Sequence, residues 1–184
     1  MNVDGLYEAM AFDQKKCEEV VSIAKAAGYD PDMSLRVWKE TVHIEAKQGD
    51  TSSSEEKPTW SFITGHSSTK ARNYIAEFSL KRLLEFAVST CLTTSMPETI
   101  NDKIKLGLYI VYNAITQIII KLSDPEVAVL RYLDEKNAYE YPVDEKKIYT
   151  DLPAVKPEDI NRLYKIHCID IVKGKVWLTE TVLF

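Results

Sequence analysis

Apolar residues recur at helical spacing over most of this chain, and they switch to strand-like alternation in a few short segments. Cys17, Val20, Val21, Ala24 and Ala27 fall on one helix face, with Asp13 in front as a cap and Gly28 behind as a stop. Asp30-Pro31 then opens a second element, since Asp caps well and Pro is tolerated in a first helical turn. Its continuation reads two ways. Leu35, Trp38 and Val42 fit a helix, whereas Thr41-Val42-His43-Ile44 has the β-branched content of a strand. Residues 48–58, QGDTSSSEEKP, hold no apolar anchor and read as a mobile surface loop. Trp60 to Thr64 follows as a short strand, expected to pair with residues 41–46 as a small β-hairpin.

Two long helices come next. The first is expected from Ser67 or Ser68 to about Cys91, with Ala76, Leu80, Leu83, Ala87 and Cys91 on one stripe, widened by Leu84 and Val88. Ser95-Met96-Pro97-Glu98 then matches the capping box, in which a serine oxygen and a glutamate satisfy backbone donors at a helix start. The second helix should run to about Lys121. Ile100, Ile104, Leu108, Val111, Ile115, Ile118 and Leu122 line one side of it, while Leu106, Ile110, Ile119 and Ile120 make the other side apolar too. A helix apolar nearly all round is central to a domain or shared between subunits, and on that ground a homodimer is expected.

The last third has a different rhythm. Asp124-Pro125-Glu126 starts a compact helix with Val127, Leu130 and Leu133 inside and Lys136-Asn137 at its end. Residues 144–152, DEKKIYTDL, make a short second helix on Ile148 and Leu152. After the Pro153-Ala154-Val155 turn, Lys156-Pro157-Glu158-Asp159 starts a third, with Ile160, Leu163 and Ile166 inside and Asn161, Arg162 and Lys165 outside. Residues 168–172 and 176–181 alternate around Lys173-Gly174-Lys175, the pattern of a hairpin.

Over residues 123–181 this order resembles the winged helix-turn-helix superfamily. The segments that carry the likeness are SDPEVAVLRYL, KKIYTDLPAVKPEDINRLYKI and CIDIVKGKVWLTE. The resemblance implies a third helix that enters the major groove of double-stranded DNA and a wing that touches the backbone. The implied contacts are Asn161, Arg162 and Lys165 on the helix and Lys173 and Lys175 on the wing. It also resembles the regulator type in which a helix pair ahead of the module mediates dimerisation. Two features depart from a DNA-binding pattern: Glu158 and Asp159 occupy the start of the third helix, and the segment as a whole is acidic.

Charge sharpens that second point. The net charge is −5, with 14 basic and 16 acidic residues in 1–123 and 9 and 12 in 124–184, so neither part is a basic block. Neutralising phosphates supplies most non-specific DNA affinity, and this chain lacks the usual surplus for it. Apolar residues at 45% and charged residues at 28% suit a folded globular chain. Cys17, Cys91 and Cys168 are isolated and odd in number, with no Cys-x-x-Cys pair, which points to a reducing, cytoplasmic setting. The most apolar run, residues 106–122, is broken by Asn113, Thr116 and Gln117, so no membrane span is expected.

No residue pattern in the sequence points to catalytic chemistry. Gly65 to Lys70, GHSSTK, lacks the second glycine and the Ser or Thr that would flank the lysine of a phosphate-cradling loop. Free backbone donors beside Lys70 and Arg72 could hold an anion, but serine capping explains the segment as well. His43, His66 and His167 show no metal-ligand spacing, and no cofactor is expected.

The resulting expectation is a mainly α (α+β) chain, with a helical part over 1–122 and a winged-helix-like part over 123–184. Its leading function is that of a non-enzymatic, DNA-binding transcriptional regulator. The alternative is an adaptor that binds another protein through the same fold. A small-molecule sensor with a pocket between the two long helices is a third reading.

Overall fold

The computed structural model describes residues 3–46, 59–61, 74–93 and 99–184. Two helices open the chain: α1 (Val3–Ala27), and α2 (Pro31–Thr41), whose N-cap Asp30 accepts from the Met33 amide at 2.8 Å. α1 is longer at its front than the apolar spacing predicts. Asp13 lies inside it, and its carboxylate accepts from Trp38 Nε1 at 3.0 Å, joining α1 to α2. Gly28 does end α1, at a φ of 76°. The ambiguous stretch after Asp30 is both things in turn, because β1 (Val42–Ala46) follows α2 directly.

Next come β2 (Thr59–Ser61), β3 (Tyr74–Ser79) and α3 (Leu80–Thr93). Two expectations fail here. Residues 74–79 are strand rather than the front of a long helix, and β1 pairs with β3, antiparallel with Val42 opposite Phe78, instead of with residues 60–64. The spacing misleads for a simple reason. Ala76, Phe78 and Leu80 are all buried, in strand alternation, yet Ala76, Leu80 and Leu83 also satisfy an i, i+4, i+7 stripe. What decides is tertiary: β7 (Thr181–Leu183) returns from the far end of the chain to pair with β3 on one side and β2 on the other. The sheet order is β1-β3-β7-β2.

The central helix is α4 (Ile100–Thr116). Thr99 and Asp102 form its capping box, and the serine-glutamate box expected at 95–98 falls outside the described residues. The hydrogen bond from the Thr99 hydroxyl holds the Asp102 carboxyl below its ordinary value. Gln117, at a φ of 60°, stops the helix short of Lys121. Residues 103 to 112 are buried without a break except at Lys105, since α1, α2, α3 and α5 (Asp124–Glu135) surround the helix within the same chain. Its apolar pattern therefore requires no second copy. Lys103 is an oddity in this core, because its buried Nζ has no hydrogen-bond partner among the described residues. Against α3, Gly107 allows close contact: a Cβ there would lie 2.2 Å from Leu83 Cδ1.

The remaining elements are α5, β4 (Val143–Asp144), α6 (Glu145–Asp151), α7 (Pro157–Lys165), β5 (Ile169–Val172) and β6 (Lys175–Leu178). Ser123 and Glu126 make the capping box of α5, with Pro125 in its first turn. The hairpin is shorter than the alternation predicts, and β4, which the pattern did not show, completes a sheet of order β4-β6-β5. Val172 and Lys175 are paired, so only Lys173 and Gly174 form the turn. Both have positive φ, the type I′ geometry that suits the twist of two short strands. Leu133, Ile148, Ile160, Leu163, Cys168, Ile169, Val176 and Leu178 are buried in one core with α4.

Candidate interaction surface

The outer face of α7 follows from its inner one. Ile160 and Leu163 are buried, which leaves Glu158, Asn161, Arg162, Tyr164 and Lys165 exposed. Asp159 is turned to local use, its carboxylate accepting from the Lys156 amide at 2.9 Å at the helix start. At the other end His167 takes a φ of 58°, and the Cys168 amide donates to Leu163 O at 3.0 Å, closing the helix. Burial lowers the His167 pKa, with Asp170 opposing. The Tyr112 hydroxyl donates to Ile166 O and so ties α4 to the end of α7.

The five residues expected to contact DNA are all exposed, but they are not equally available. Arg162 Nε lies 3.2 Å from Glu126 Oε1, and its Nη2 donates to Lys121 O at 3.0 Å. Glu126 is fully buried and also caps α5, so Arg162 is the cation that balances a carboxylate inside the protein. Lys175 reaches Asp144 at 3.2 Å, across the β4–β6 pair. Side-chain bonding to Lys175 and the Lys146 amide lowers the Asp144 pKa. The side chains of Asn161, Lys165 and Lys173 have no hydrogen bond or ion pair among the described residues. Spacing alone found the exposed face. It had no means of finding the carboxylates that engage Arg162 and Lys175, because those contacts depend on how distant segments pack.

Two exposed apolar side chains belong to the same elements, Tyr164 on α7 at 41% and Val172 at the hairpin turn at 48%. Cys168 behaves as a core residue, burial pushing its thiol up to about 12. Among the described residues no His, Cys, Asp and Glu group could hold a metal ion. No helix among them is long and apolar enough to cross a membrane. The anion-loop reading of Gly65 to Lys70, with His66, lies outside the described residues. Between the two long helices, Leu83 occupies the space beside Gly107.

Comparison with known proteins finds no counterpart: no family model matches the chain, and neither a curated protein nor a solved structure matches it.

Proposed function

We propose that residues 124–178 are a winged-helix module that docks a protein partner through α7 and the β5–β6 hairpin, without catalysis. The order of helix, short strand, helix, helix and hairpin, with sheet order β4-β6-β5, supports the winged-helix half of this reading. The partner half rests on one observation. Arg162 and Lys175, two of the five cations and polar groups a duplex would need, are held by the chain's own carboxylates Glu126 and Asp144. With Glu158 exposed at the start of α7, an approaching phosphate backbone meets repulsion where it needs attraction. Tyr164 and Val172 offer the apolar anchors that protein interfaces use, with Lys165 and Lys173 as a charged rim.

A DNA-binding regulator is the second reading, favoured by the open side chains of Asn161, Lys165 and Lys173. Titration of the full chain against a mixed-sequence duplex over a salt series separates the two. The adaptor reading expects no binding at low salt, together with a partner retained in affinity capture by the wild type and lost by Tyr164→Ala combined with Val172→Ser. A second copy of the chain is the simplest such partner, and light scattering reads it directly. Submicromolar duplex affinity whose salt slope flattens in Asn161→Ala/Lys165→Ala would give the role to DNA instead.

A further inference from the structure

The four-stranded sheet has a face that the module does not use. His43 and Glu77 are opposite one another in the β1–β3 register, and Ser79 is opposite Thr181 in the β3–β7 register. Side chains two apart on a strand share a face, so these four stand on one side while Ala76, Phe78 and Val182 enter the core on the other. Arg82, from the first turn of α3, and Glu180, from the link between β6 and β7, close this side into a polar cleft of about 380 Å³. The walls are fixed by backbone. Leu80 N donates to Glu180 O at 3.0 Å, and Arg82 N donates to the Ser79 hydroxyl at 3.2 Å.

Two charges in this cleft stand out. Neither Arg82 nor Glu77 has an ion-pair partner among the described residues, and both residues line this cleft, Arg82 also bordering a second one beside Glu40 and Glu85. Among the described residues Glu180 makes one ion pair, with Lys81 at 3.9 Å. An arginine and two carboxylates on one cleft, with the hydroxyl residues Ser79 and Thr181 in the same lining, can receive a molecule that carries both charges. Among the described residues every lining side chain is polar, which disfavours the apolar ligands that most pockets of this size receive. We propose that the cleft binds a small zwitterion, a free α-amino acid, with its carboxylate on Arg82 and its ammonium on Glu77 and Glu180.

The test uses the full chain and the twenty common L-amino acids as probes, screened by thermal shift and followed by calorimetry. At least one should bind at or below about 10 mM. The matching carboxylic acid without the amine, and the amine without the acid, should each bind at least about tenfold more weakly. Arg82→Gln and Glu77→Gln should each weaken the amino acid by a similar factor while leaving far-UV circular dichroism unchanged. No binding by any of the twenty, or equal binding by acid, amine and amino acid, overturns the proposal even if a variant were to misfold. None of these outcomes involves α7 or the hairpin, so the docking reading stands or falls separately.

Discussion

Arg162 and Lys165 are three positions apart on one exposed helix face, yet the structure gives them different work. Removing the Arg162 guanidinium leaves the buried Glu126 carboxylate without its cation. Arg162→Ala should therefore lower the unfolding free energy by about 1–2 kcal/mol, because it leaves a buried carboxylate without its counter-charge, a loss that solvent screens in part since Arg162 is half exposed. Asn161→Ala and Lys165→Ala remove side chains without partners and should stay within about 0.5 kcal/mol of the wild type. Urea denaturation of the three variants makes the comparison. An Arg162→Ala protein as stable as Lys165→Ala would mean that the pair with Glu126 contributes nothing.

Among the elements, legibility in the sequence follows how local the determining contacts are. The three small helices of the last third are at the expected places because their caps lie within the same few residues as their apolar stripes: Ser123 with Glu126, Asp144 with the Lys146 amide, Asp159 with the Lys156 amide. The turn at Lys173-Gly174 was legible for the same reason. By contrast, Tyr74 to Ser79 needs β1 and β7 to be a strand, and no local signal names those partners. Of the candidate site, the exposed face of α7 could be read from spacing, while the engagement of Arg162 and the whole polar cleft could not, because both are made by distant segments. Helix packing gives a prediction at this scale. Leu83 is fully buried, so Gly107→Ala must force its side chain out of place or push α3 from α4, at a cost of about 1–3 kcal/mol in thermal or chemical unfolding. An unchanged midpoint would show that the two helices are less closely packed than the geometry requires.

At the scale of the whole molecule, the parts on either side of residue 123 are bound together more than a division of the sequence suggests. β7 continues from β6 into the first sheet, and Tyr112 on α4 meets Phe78, Phe184 and the end of α7 through its ring and hydroxyl. The two parts should unfold together. Hydrogen exchange measured across denaturant should bring the amides of β3 and β6 to one common opening free energy, and two separate values would show independent units. The placement of β7 also bears on how the chain reaches this state. Phe78 and Val182 are partners across roughly a hundred residues of intervening chain, so closing the first sheet costs more chain entropy than forming the local structures between them and is expected to follow them. Until then one side of β3 offers unpaired amides and carbonyls to any other extended strand. The interval between synthesis of β3 and arrival of β7 is when this chain is most exposed to aggregation, and there a chaperone would have most effect.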